Sequence, residues 1–161
     1  MNAPQTSRQL LRHTVATLAY RGGKAVRGAP ASFADFSAAG GIRSPRQILA
    51  HIGDLLDWAL SLAEGQQRWH DSAPLPWGQE VARFFAALEK LDGYLSSAAD
   101  LKVAPEKLFQ GAIADALTHV GQINILRRLA GIPVRAENYF VAEIAVGRVG
   151  ADQAAPKLEF D

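Results

Sequence analysis

The sequence predicts an all-α protein, most simply a four-helix bundle with an irregular C-terminal tail. Three observations carry this. Four segments repeat apolar residues at helical spacing. Alternating, strand-like patterning is scarce before residue 134. The 161 residues, 48% apolar and 20% charged, suit one domain with a substantial core.

The first helix is expected from about Ser7 to Val26, with Leu11, Val15, Leu18 and Ala19 inward. Arg8, Gln9, Arg12 and Arg21 fall on the other face, and Gly22-Gly23 weakens its end. Residues 28–43 are rich in Gly, Ala, Pro and Ser and read as a long connection without an amphipathic run. The second helix has the clearest start. Ser44 can cap, Pro45 occupies the first helical position and Gln47 completes a capping box. It runs to about Ala63, stops near Gly65, and turns Ile48, His51, Leu55, Trp58 and Leu62 inward.

A second long connection, with Pro74 and Pro76, leads to the third helix, about Gly78 to Ser97. Its stripe is Val81, Phe84, Phe85, Leu88, Leu91 and Leu95. The fourth helix starts at Pro105-Glu106 and ends at Gly131, with Arg127 and Arg128 in its last turn and Pro133 beyond. Its inward row reads Leu108, Ala112, Asp115, His119, Gln122, Leu126, Leu129. The bundle is thus assigned to 1–133. The tail, 134–161, is expected to lie over it, with a short extended piece and mobile last residues.

Composition excludes several functions. Without cysteine there is no disulfide framework, thiolate zinc site, iron–sulfur cluster or cysteine nucleophile. Any metal must be held by His, Asp, Glu or amides. A net charge of +1 gives no electrostatic reason to expect a nucleic-acid partner. No apolar run spans a bilayer, and Met1–Arg12 lacks the apolar core of a signal peptide, so the expectation is a cytoplasmic chain with no membrane partner. Glu-x-x-His pairs, His-Glu-x-x-His, P-loops and dinucleotide fingerprints are absent. Gly22-Gly23-Lys24 and Gly147-Arg148-Val149-Gly150 are too short to mark phosphate binding.

Polar residues inside apolar rows point to the chemistry, because burying an ionisable group without a partner costs several kcal/mol. Asp115 and His119 are one turn apart on the fourth helix, and His51 lies on the row of the second. Two helices about 8–10 Å apart can bring these three to one point, as a metal site with open positions. The competing reading is a set of core residues satisfied by each other or by backbone carbonyls.

Around this point the sequence resembles the DinB family. The fourth helix reads D-A-L-T-H-V-G-Q, similar to the family's H-x-x-x-H-R-G-Q, with Val120 where Arg is common. The second helix, H-I-G-D-L-L-D-W, looks like the family's first-histidine segment. The resemblance spans about Ser7 to Pro133. It implies up-down-down-up connectivity, a mononuclear divalent metal (Zn, Ni, Fe or Mn) and a homodimer. Matched by position, His51 is the first ligand and His119 the third. Asp115 stands where the family has a second His, which leaves a two-His-one-carboxylate set. The implied function is a metal-dependent enzyme of hydrolase or thiol-transferase type, acting on a small-molecule substrate. The alternative is a non-catalytic, metal-free dimeric module.

Other residues are weaker candidates. Gln122 is a donor beside the ligands, a substrate contact, or an interhelical hydrogen bond that fixes the bundle, the last being favoured. Asp54 either orients His51 or is a solvated helix charge, the latter being favoured. Trp58 reads as core rather than a substrate platform, His13 as exposed, and His70 as surface rather than the lining of a pocket mouth. Glu137, Asn138 and Tyr139 head the tail just past the bundle, and folding back over the open metal face is one course open to them that no sequence signal marks.

Overall fold

The computed structural model describes residues 3–160. Met1, Asn2 and Asp161, the outer limits of the sequence-based ranges 1–133 and 134–161, lie outside them. The described chain is predominantly helical. Helix α1 is Ala3–Val26, α2 is Pro45–Ala63 and α3 is Trp77–Ser96. Helix α4 covers 105–129 in three continuous parts: Pro105–Leu108, a π turn at Phe109–Ile113, and Ala114–Leu129. No helix among the described residues is long and apolar enough to cross a membrane.

Helices α2 and α3 share the most extensive contact; α1 packs on α3 and α4, and α2 also packs on α4. Arg12 of α1 meets Asp92 of α3 in a two-pronged pair, both bonds 2.8 Å. Further along α1, Gly22 lies against Phe84 of α3. All four helices feed one core, with Leu18, Ile52, Leu88, Ile113 and Ile123 each fully buried.

Two of the arginines expected to face away from the bundle do not. Arg12 is the partner of buried Asp92, and Arg8 donates to the Leu95 and Ala99 carbonyls, both at 2.7 Å, where α3 ends. Arg127 does the same for α1, donating to the carbonyls of Ala25 at 2.9 Å and Arg27 at 2.8 Å. Helix C-termini leave carbonyls unpaired, so a guanidinium there supplies both hydrogen bonds and favourable charge.

Gly22 and Gly23 lie within α1, which runs to Val26 as expected. They let α3 approach: a Cβ on Gly22 would lie 2.5 Å from Phe84 Cζ. Phe84 is fully buried and has no space to yield. Gly22→Ala is therefore expected to cost about 1–3 kcal/mol by overpacking. Urea unfolding checks this, and an unchanged midpoint contradicts it.

The start of α2 is as expected, the Ser44 N–H donating to Gln47 Oε1 at 2.8 Å. The connection before it is less featureless than expected. It holds a short 3-10 helix, Ala31–Asp35, that buries Phe33 edge-on against Trp77. The row assigned to α2 is displaced. Ile48 and Leu55 are buried as expected, but Leu49, Ile52, Leu56, Ala59 and Ala63 continue the core face. His51, Trp58 and Leu62 are half-buried at its edge.

The row assigned to α4 is displaced too. Leu108, Ala112 and Leu126 are buried as expected, joined by Ala116, Val120, Ile123 and Arg127, while Gln122 and Leu129 are exposed. Three successive steps of four overshoot three helical turns by roughly one residue, and the π turn takes up that residue. The tail carries strands Ala136–Glu137 (β1) and Glu159–Phe160 (β2), paired antiparallel. Its last described residues are thus tied down, and Glu159 also pairs with Lys24 of α1 at 2.6 Å.

Candidate metal centre

The edge positions of α2 and α4 face each other, and this brings the three sequence candidates together. His51 Nε2 lies 3.8 Å from Asp115 Oδ2, and His119 Nδ1 lies 3.2 Å from Asp115 Oδ1. The two imidazole rings are 4.7 Å apart between centroids. One donor atom from each residue falls within 4.8 Å of the others.

His119 is the most enclosed of the three, and the Asp115 side chain is 46% exposed. The site is therefore open on the carboxylate side. His119 Nδ1 also lies 2.9 Å from the Asp115 carbonyl. In the tautomer with its proton on Nδ1, donation to that carbonyl fixes the ring and leaves Nε2 as the lone-pair nitrogen, an arrangement common in metal-ligating histidines. Burial holds the His51 imidazole below its ordinary pKa, with His119 and Arg43 adding to the effect and Asp115 and Asp54 opposing it. A neutral imidazole is the form that ligates.

Asp54, expected as a solvated helix charge, is instead buried, its side chain 3% exposed. It accepts from the Ser72 N–H at 2.9 Å, the Ser72 hydroxyl at 2.7 Å and Arg83 at 2.5 Å. His70 Nε2 is 3.1 Å from the same carboxylate. Asp54 thus fastens the loop between α2 and α3 to α2 instead of bonding His51. Asp54, Asp57 and His70 form a second cluster with metal-like spacing, but Arg83 already bridges its two carboxylates.

Burial raises the Asp54 pKa, but Ser72 and Arg83 outweigh it and hold the group below the usual carboxylate value. Its stabilisation is present above the unfolded value of about 3.9 and is lost as pH falls through the lower folded value. Asp54→Asn is expected to cost about 2 kcal/mol at neutral pH and to flatten the acid side of the stability profile. Urea midpoints measured from pH 7 down to pH 3 check this; parallel profiles contradict it.

The fastened loop delivers a residue that sequence reasoning misses. Trp69 packs edge-on against both His51, at 5.7 Å, and Trp58, at 5.8 Å between centroids. Its one signal in the sequence is its place beside His70 in a loop bounded by helices, which fixes no direction. Trp58 is half-buried beside it rather than in the core. His13 is exposed, as expected, and Gln122 sits at the rim beyond His119.

Glu137 does not fold over the candidate centre. Tyr20 donates to its Oε1 at 2.6 Å and Lys24 to its Oε2 at 2.7 Å, so both oxygens are engaged by α1. Tyr139 packs edge-on against Tyr20 and under Arg21, on the same helix.

Comparison with protein families, characterised proteins and solved structures finds no match to this chain.

Proposed function

We propose that the chain binds one divalent metal ion through His51, Asp115 and His119 and is a metal-dependent enzyme of hydrolase or thiol-transferase type. The observation that carries this is the convergence of the three donor atoms within 4.8 Å, from two helices. The donor set fits a borderline ion such as Zn, Ni, Fe or Mn: two imidazoles and one carboxylate, with no thiolate. The DinB-like motifs add support, as does the order of helix contacts. Arg12–Asp92 and Gly22–Phe84 run α1 against α3, and Tyr94–Ala63 with Arg83–Ala50 runs α2 alongside α3. His51–His119 and Trp58–Gly111 run α2 against α4. These pairs favour up-down-down-up connectivity. The same reading carries a small-molecule substrate and a homodimer, with neither nucleic acid nor membrane as partner.

A bound ion of this kind supplies Lewis acidity to a substrate oxygen or sulfur. The protein's own residues would present the His51 and His119 ring nitrogens, keep the Asp115 carboxylate at the open side, and wall one flank with Trp69. The Asp115 side chain is 46% exposed, so the open side is where substrate would enter.

The test is a screen of ester-hydrolysis and thiol-transfer substrates on metal-loaded protein beside Asp115→Ala. Metal-dependent turnover that falls at least about tenfold in Asp115→Ala supports the enzyme reading. Turnover in neither class, with the metal bound, contradicts the enzyme reading; absence of bound metal as well favours the metal-free, non-catalytic module.

A further inference from the structure

His51 lines one cleft and His119 a second. A polar cleft of about 210 Å³ includes His51, Gln47, Asp71 and Ser72 in its lining. A second cleft, of about 380 Å³, follows the edge of α4 past His119, Gln122, Ile125 and Leu129 to Ile42. Arg43 lines both.

Two features at these clefts are unsatisfied among the described residues. Ile42, Ile125 and Leu129 are 51%, 58% and 60% exposed, a run of apolar surface beginning shortly past His119. Arg43 is exposed and has no ion pair or hydrogen bond among the described residues, whereas Arg8, Arg12, Arg46, Arg83 and Arg127 are all engaged.

We propose that these clefts bind a small amphipathic carboxylate, its head between Arg43 and the candidate metal centre and its apolar chain along Ile42, Ile125 and Leu129. The proposal deepens the metal-centre reading and rests on it for half of the head-group anchorage. A guanidinium fork matches a carboxylate in plane and spacing. A single negative charge suits the site better than two, because Asp71 and Asp54 line the polar cleft. From His119 to Ile125 is about 9 Å along the helix, a distance a medium-length chain covers.

The experiment is calorimetric titration of the zinc-loaded and the metal-free protein with acetate, octanoate and octyl phosphate, with zinc content measured on the same samples. Octanoate is expected to bind about tenfold tighter than acetate, the gain from burying roughly two methylene groups. Arg43→Gln should weaken octanoate about tenfold while zinc content stays unchanged. Leu129→Asp, at an exposed position that leaves the core intact, should remove the preference for the longer chain. Equal binding of acetate and octanoate, or octanoate binding indifferent to Arg43→Gln, overturns the proposal even where zinc is bound. Tighter binding of octyl phosphate than octanoate overturns the carboxylate assignment. Absence of zinc contradicts the metal reading instead, and the metal-free titration still reads the parts due to Arg43 and the apolar wall.

Discussion

His119→Ala should reduce bound divalent metal from about one ion per chain to background. Three ligands are the usual protein contribution to an open site, and removing one leaves two donors on opposite helices with no geometry to hold an ion. His119 is the ligand to change because it is the most enclosed and its ring is fixed by the Asp115 carbonyl. The same substitution separates metal loss from unfolding. His119 lies at the helix edge, so the apolar core of Leu108, Ala112, Ala116 and Val120 remains. Zinc at 100 times its dissociation constant should stabilise the wild type by about 2.7 kcal/mol and leave His119→Ala unmoved. Metal analysis and thermal unfolding, with and without zinc, read both quantities. Equal metal content in the two proteins contradicts the assignment.

Glu137→Ala is expected to cost about 3 kcal/mol, the largest stability loss among the polar positions. The Glu137 side chain is fully buried, and its removal strips partners from two α1 groups at once. Tyr20 loses its acceptor, and Lys24, 10% exposed, keeps only Glu159. Breaking such a cluster from one side leaves charge and hydroxyl uncompensated, which costs more than the intact cluster contributes. The pH dependence has a definite sign. Burial and then Glu137 raise the Tyr20 pKa; burial lowers that of Lys24, but Glu137 and Glu159 outweigh it and raise it. Raised groups stabilise below their unfolded values, about 10 for each, and lose that contribution as pH climbs through the folded values. Urea unfolding at pH 7 and pH 10.5 should show the difference between wild type and Glu137→Ala narrowing on the alkaline side. A difference that widens, or is absent at pH 7, contradicts these assignments.

Much of the helical frame is legible in the sequence because its signals are local. Ser44-Pro45 starts α2 and Gly131 follows α4 with φ of +74°, as capping chemistry dictates. The candidate trio is legible for the same reason: Asp115 and His119 are one turn apart, and His51 is the sole histidine of α2. Which face those residues occupy is less so. Periodicity assumes a uniform helix, and the π turn at Phe109–Ile113 changes the phase just before Asp115. Asp115 and His119 therefore lie at an open edge instead of in the core. Long-range partners are not legible at all. Asp54 with Ser72 and Arg83, and Glu137 with Tyr20 and Lys24, depend on how distant segments meet.

Anomalous diffraction at the zinc edge, from crystals grown with zinc, decides whether His51, Asp115 and His119 hold one metal ion. One strong peak is expected, about 2.0–2.2 Å from a nitrogen of each histidine and an oxygen of Asp115. No peak there, or a peak at Asp54, Asp57 and His70 instead, would contradict the assignment.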